Sequence, residues 1–150
     1  GVGNNVGWNK SGDTWYFRFP DGSLKTNGWE YIGDKWYLFD DSGRMLTGWQ
    51  KRDGEYYYLN SSGQMTMGWQ QSNGKWYYLN AEVPRGKMLS NTWLHSSDGK
   101  YYYLDSNGAM CEKWTQISGN WYYFYPGSGF MATNTTIDSF RLGANGAWIR

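Results

Sequence analysis

The stretch GWQQSNGKWYYLN, residues 68–80, concentrates large rings on both sides of one short polar turn. Asn73 and Gly74 lie midway between the two aromatic runs, and this pair favours a tight two-residue turn because both residue types tolerate positive φ. The runs on either side are short and rich in residues that prefer strands. The stretch therefore predicts a β-hairpin.

The register of this hairpin sorts its rings into two faces. With a two-residue turn, Trp69 lies opposite Tyr78, and strand alternation then places Trp69, Trp76 and Tyr78 on one face. Tyr77 and Leu79 point to the other face. Because an isolated two-stranded hairpin is only marginally stable, both faces need partners.

The same pattern recurs along the chain at intervals of about twenty residues, in stretches that begin at residues 7, 28, 48, 92 and 113. The stretches are joined by connectors of one type, such as DSGRMLT and SSGQMTM. Similarity at a fixed period is typical of a solenoid, in which each unit buries its apolar face against its neighbours. We therefore predict one repeat domain over residues 1–150, with about six hairpin repeats.

Composition limits the classes of function. The chain has 150 residues, of which 21% are aromatic, and a formal net charge of +1. Mixed charges without a basic run disfavour binding to nucleic acid or to an anionic membrane surface. No run of 18 apolar residues occurs, so no membrane span is predicted. The single Cys111 has no partner for an internal disulfide, and we interpret it as an ordinary connector side chain.

Stacking explains why so many rings surround each turn. It brings the Trp face of one hairpin towards the Tyr and Leu face of the next, so that two Trp rings and one Tyr ring meet around a small cavity. Three electron-rich ring faces suit a quaternary ammonium group, which is weakly hydrated and makes no demand for hydrogen bonds. The pattern therefore favours a binding site for such a cation between consecutive hairpins.

The units GWQKRDGEYYYLNSSGQMT and GWQQSNGKWYYLN resemble the choline-binding (cell-wall-binding) repeats of streptococcal and pneumococcal surface proteins and autolysins. The resemblance implies an all-β, left-handed solenoid of stacked β-hairpins. It also implies a secreted module, attached to the bacterial cell wall through choline or phosphocholine of teichoic and lipoteichoic acids. The tail from about residue 131 resembles the degenerate final repeat of such modules, which would act as a cap.

The predicted boxes follow from the resemblance and from the two faces of the hairpin. Each combines two rings of one hairpin with a Tyr of the next, and a connector Met is expected to close the wall. The five boxes are Trp8, Trp15 and Tyr37; Trp29, Trp36 and Tyr57; Trp49, Tyr56 and Tyr77; Trp69, Trp76 and Tyr102; and Trp93, Tyr101 and Tyr122, with Met45, Met65, Met88 and Met110 as wall residues. No box is predicted for Trp114 and Trp121, because the tail lacks a Trp-Tyr-Tyr run.

Other interpretations remain open beside this one. Any single ring is also explained by packing alone. An enzyme is disfavoured because His95 is the only histidine and no nucleophile, carboxylate pair, metal cluster or cofactor motif can be recognised. The chain could still be the targeting domain of a larger cell-wall hydrolase. A carbohydrate (glucan)-binding repeat module is the second alternative, although sugars need a flat platform with hydrogen-bonding partners rather than an enclosing box.

Overall fold

The computed structural model describes residues 2–150, which form fourteen β-strands and no helix. The strands pair in chain order as seven two-stranded sheets. The described residues accordingly include no helix that is long and apolar enough to cross a membrane. The hairpins are β1–β2 (Gly7–Ser11, Thr14–Arg18), β3–β4 (Gly28–Ile32, Lys35–Phe39), β5–β6 (Gly48–Arg52, Glu55–Leu59), β7–β8 (Gly68–Ser72, Lys75–Leu79), β9–β10 (Thr92–His95, Tyr101–Leu104), β11–β12 (Lys113–Ile117, Asn120–Phe124) and β13–β14 (Thr135–Ile137, Phe140–Leu142).

The turn of the β7–β8 hairpin has the predicted geometry. Asn73 and Gly74 have φ values of 51° and 78°, and they alone separate β7 from β8. Positive φ at both central residues matches the right-handed twist of the flanking strands. The predicted register is seen in the sister hairpin β5–β6, where Trp49 pairs with Tyr58. The turn chemistry therefore decides which rings share a face.

The chain divides into two compact units, one formed by residues 2–68 and 79–87 and the other by residues 69–78 and 88–150. Within each unit, the connector that follows one hairpin donates a backbone hydrogen bond to the preceding hairpin. The contacts are Met45 to Trp15 and Met65 to Trp36 in the first unit, and Met110 to Trp76, Met131 to Tyr101 and Trp148 to Trp121 in the second, with N···O distances of 2.8 to 2.9 Å. Successive hairpins are thus linked by backbone as well as by side chains.

The core is thin and repeats with the hairpins. Its fully buried side chains come mainly from the end of the second strand of each hairpin, as at Leu59, Leu79 and Leu104. Each such burial stabilises the fold by roughly 1.5–3 kcal/mol. Leu79 lies on the face predicted to point away from Trp69. The Trp pairs are consequently left at the edge of the core, where part of each ring stays exposed.

Connector turns are fixed by a polar side chain at their start. In the connector after β6, Asn60 Oδ1 accepts hydrogen bonds from the backbone N–H groups of Ser62 (3.0 Å) and Gln64 (2.9 Å). Asp40 and Asp105 accept the same pair of bonds in their own connectors. These turns place the following methionine against the preceding hairpin.

Candidate ligand-binding boxes

The first predicted box forms an open cleft in the first unit. Trp8 and Trp15 lie on the same face of β1–β2, with ring centroids 6.2 Å apart and planes at 89°. Tyr37, on β4, meets Trp8 at 4.8 Å and 66°. Together with Met45, these rings line a cleft of about 360 Å³. The structure therefore brings together all four residues that the sequence assigns to this box.

The second predicted box repeats this arrangement one hairpin later. Trp29 and Tyr57 meet at 5.0 Å and 69°, and both line a cleft of about 380 Å³ with Trp36 and Met65. The Trp–Tyr contact of this cleft matches that of the first cleft, 4.8 Å and 66°, closely in both distance and angle. The repeat therefore copies the geometry of the site as well as its residue types.

The fourth predicted box lies in the second unit. Trp69 and Tyr102 meet at 5.1 Å and 62°, and they line a cleft of about 260 Å³ with Trp76 and Met110. The longer turn between β9 and β10 supplies Asp98, whose Oδ2 accepts a hydrogen bond from the Tyr102 hydroxyl (3.1 Å). Burial, followed by this hydrogen bond, raises the pKa of Tyr102. Both effects favour the neutral form of the Tyr102 hydroxyl.

The remaining predicted residues are placed less completely. In the fifth box, Trp93 meets Tyr122 at 5.0 Å and 77°. Tyr101 stacks in parallel on His95 with centroids 4.1 Å apart, and its carbonyl accepts the Met131 N–H. The third box stays a prediction, because Trp49 and Tyr56 belong to the first unit and Tyr77 to the second. Met88, one of the predicted wall residues, packs against Gly108 within the second unit.

Each described cleft also has a wall that the sequence did not predict. Ser61 and Ser62, from the connector two hairpins further on, line the first cleft. The next residue, Gly63, has a φ of +81°, and a Cβ atom there would lie 2.7 Å from Met45 Cε. Only glycine allows this approach without displacing the methionine. The same packing recurs at Gly86 on Met65, Gly129 on Met110 and Gly146 on Met131.

A further cleft lies at the last hairpin, where no box is predicted. Trp114, Trp121, Phe140 and Trp148 line a space of about 240 Å³. Phe140 meets Trp114 at 5.7 Å and Trp148 at 5.3 Å, in both cases nearly perpendicular. The Trp114 indole N–H donates to Asp138 Oδ2 (2.8 Å). We call this space the terminal cleft.

The terminal cleft can be recognised in the sequence when the last hairpin is aligned with the others on the leucine that ends its second strand. Leu142 bridges to Trp148 as Leu59 bridges to Met65. Phe140 then occupies the position of Tyr57, two residues before the leucine. The tail lacks the Trp-Tyr-Tyr run from which the other boxes are predicted, so only strand register marks Phe140 as a wall residue.

Reactive groups in the described chain are few. Cys111 is a free, half-buried thiol, and burial, more than the nearby charge of Asp105, raises its pKa to about 11. The thiolate needed for nucleophilic attack is therefore scarce at neutral pH. Within residues 2–150, no group of three or more His, Cys, Asp or Glu side chains is placed to hold a metal ion.

Comparison with family models assigns these repeats. A choline-binding repeat model matches residues 26–65, 46–93 and 94–135, and a cell-wall-binding repeat model matches residues 6–24. The chain belongs to the choline-binding repeat family. A search of curated proteins finds no match.

Solved structures agree with this family. CbpJ of Streptococcus pneumoniae is 40% identical over 97% of the chain, with a TM-score of 0.86. Choline binding protein F of the same species, solved with a peptidoglycan analogue, is 38% identical over 97% of the chain, with a TM-score of 0.85. The modular autolysin LytC of that species, 23% identical over 99% of the chain with a TM-score of 0.72, shares the fold.

The comparisons confirm the predicted fold class, an all-β solenoid of stacked hairpins, and the predicted family. The chain spans 48% of the length of CbpJ, 47% of choline binding protein F and 41% of LytC. What these whole proteins do is therefore not transferred to this chain by the match alone.

Proposed function

We propose that this chain is a non-catalytic module that attaches to the bacterial surface by binding choline of cell-wall teichoic and lipoteichoic acids. One observation carries the proposal. Two Trp rings, a Tyr ring and a connector Met surround an open cleft at the same register in the first, second and fourth boxes. Packing alone does not require an open space at that position.

The chemistry of these clefts suits a quaternary ammonium better than a sugar. Ring faces attract a weakly hydrated cation with about 0.5–2 kcal/mol each. A glucan would need several hydrogen-bonding partners beside a flat ring platform. The first cleft is lined by the rings of Trp8, Trp15 and Tyr37 and the thioether of Met45, with Ser61 and Ser62 beside them. Its rings meet at 66° and 89° and so enclose the space instead of forming a flat platform, which supports choline as the ligand.

Each site is expected to be weak by itself. If three ring contacts leave a net gain near 4 kcal/mol, the dissociation constant is about 1 mM. A wall polymer that carries many cholines would still be held firmly, because linked binding raises the effective concentration at the next site. Weak, repeated sites therefore suit attachment to a polymer.

The third and fifth boxes and the terminal cleft extend the same proposal. The third (Trp49, Tyr56, Tyr77) and fifth (Trp93, Tyr101, Tyr122) boxes carry Tyr where the others carry a second Trp, so we expect them to bind more weakly. The terminal cleft has Phe140 and Trp148 where the first cleft has Tyr37 and Met45. Its four aromatic side chains offer ring faces to a weakly hydrated cation.

Thermal unfolding with matched salts tests the function. Choline and tetramethylammonium chloride at about 10 mM should raise the melting temperature by about 3–10 °C through mass action at several sites. Ammonium and sodium chloride should not, because the box cannot compensate for stripping their hydration. Dextran is the control for the carbohydrate alternative. Equal stabilisation by all four salts would show a salt effect, and stabilisation by dextran alone would favour glucan binding.

A further inference from the structure

The connector that follows β8 is longer than its sisters and is anchored in the first unit. The Asn80 N–H donates to the Lys87 carbonyl (2.8 Å), and the Gly86 N–H donates to the Asn80 carbonyl (2.7 Å). Lys87 Nζ forms an ion pair with Glu55 (3.5 Å). Gly86 packs against Met65, the wall residue of the second cleft. These contacts hold residues 81–87, which we call the long connector, beside that cleft.

The long connector changes the outer wall of the second cleft. Val83 and Arg85 line it, whereas Ser61 and Ser62 line the first cleft at the corresponding place. Val83 is 77% exposed, so its apolar side chain extends the cleft into solvent. Of the residues that line the second cleft, only Arg85 is charged. The two clefts therefore share their rings but differ in the charge of the outer wall.

The Arg85 guanidinium is available to a ligand. No other residue within 2–150 forms a hydrogen bond or an ion pair with it. A guanidinium at the mouth of a cation-binding box repels a bare choline, because the two positive charges face each other. The same group attracts a ligand that carries an anion next to its quaternary ammonium, and planar guanidinium donors match phosphate oxygens.

We propose that Arg85 makes the second cleft selective for phosphocholine, with the trimethylammonium group in the aromatic box and the phosphate against the guanidinium. The inference rests on the proposed choline-binding function and adds a specificity determinant to one of its sites. The first cleft has two serines in the same place and serves as an internal reference. We expect it to bind choline and phosphocholine with similar affinity.

A site-resolved titration tests this assignment on the intact chain. The indole N–H resonances of Trp29 and Trp36 report the second cleft, and those of Trp8 and Trp15 report the first. Each is followed with choline and with glycerophosphocholine, whose phosphodiester carries one negative charge at neutral pH. We expect glycerophosphocholine to bind the second cleft about three- to tenfold more tightly than choline. At the first cleft the two ligands should differ by less than about twofold.

The variant Arg85→Gln should move the two affinities in opposite directions. Glycerophosphocholine should bind the second cleft more weakly and choline slightly more tightly, since both the phosphate contact and the repulsion are lost. A merely structural effect would move both affinities the same way. Arg85→Lys should keep part of the preference. Arg44 is another exposed connector arginine and lines no described cleft, so Arg44→Gln should change neither affinity.

The titrations distinguish the role of Arg85 from the proposed choline-binding function. If choline shifts all four indoles but Arg85→Gln leaves the ligand preference of the second cleft unchanged, the role of Arg85 is overturned and choline binding stands. If neither ligand nor tetramethylammonium shifts any of them, the proposed function fails and this inference fails with it. High salt should shrink the preference, because the contact is partly exposed.

Wall polymers and lipid headgroups both can carry phosphocholine, and two surfaces distinguish them. We expect the protein to sediment with purified choline-bearing cell walls, less so as Arg85→Gln, and not with phosphatidylcholine vesicles. Sedimentation with vesicles that Arg85→Gln weakens would assign the phosphocholine to lipid while retaining the role of Arg85. Equal sedimentation of both proteins with both surfaces would overturn that role.

Discussion

The first cleft and the terminal cleft have the same plan but different walls. In each, two Trp rings of one hairpin face a ring of the next, and a connector side chain closes the space. The first cleft uses Tyr37 and Met45, with Ser61 and Ser62 at its mouth. The terminal cleft uses Phe140 and Trp148 in place of the first two. Position in the hairpin is therefore kept while the residue changes.

Strand register determines where the walls of each cleft lie, and side-chain identity determines the chemistry of those walls. Trp15 and Trp121 occupy equivalent places, are 37% and 36% exposed, and accept the hydrogen bond of the following connector with their backbone carbonyls. Because that bond belongs to the backbone, it survives any change of ring. The walls can therefore vary without loss of the stacking that positions them.

The largest effect on stability is expected from blocking the close approach of Gly63 to the Met45 side chain. Gly63→Ala forces a Cβ into Met45 at positive φ, and we expect a loss of about 2–4 kcal/mol of unfolding free energy. Choline binding at the first cleft should be lost, with the terminal cleft unaffected. Denaturant unfolding and indole titration measure the two effects.

Gly54→Ala is the matched control for this change. Gly54 has almost the same φ, +82°, but nothing lies within 4 Å of its Cβ position. The Gly54→Ala variant should lose only the free energy of unfolding that alanine costs at positive φ, about 1–2 kcal/mol, and should keep the first cleft intact. Equal losses in the two variants would show that the methionine contact contributes nothing.

The second prediction compares single rings in the two clefts. Trp15→Ala and Trp121→Ala each remove one exposed wall, and we expect choline affinity to fall about five- to thirtyfold at the altered cleft only. The half-exposed rings contribute modestly to packing, so both variants should remain folded. Indole resonances of Trp8 and Trp114 report the two clefts separately. Loss of binding at both clefts in either variant would contradict independent local sites.

The smallest effect is expected from exchanging one wall type for the other. Trp148→Met gives the terminal cleft the wall residue of the first, and we expect choline affinity there to fall about two- to fivefold as one cation–π contact is lost. Isothermal titration of the variant against the parent protein measures this change. An unchanged affinity would mean that Trp148 serves packing rather than ligand binding.

Much of the fold follows from local chemistry. Asn73 and Gly74 predict the turn, and the turn sets the register that places Trp69 and Trp76 on one face. The approach of Tyr102 to Trp69 was also predicted, because stacking of identical units leaves few ways to cover both faces. These features depend on neighbours within one repeat or the next.

What the sequence determined by itself is the hairpin, its period, the family and the pairing of rings from adjacent repeats. Only the tertiary structure showed that Ser61, Ser62 and Arg85 line clefts built two hairpins earlier, and that Phe140 and Trp148 complete a terminal cleft. The physical reason is distance along the chain. Turn type and strand alternation are fixed by a few consecutive residues. The outer wall of each cleft depends instead on how far each hairpin rotates when it packs on the hairpin before it.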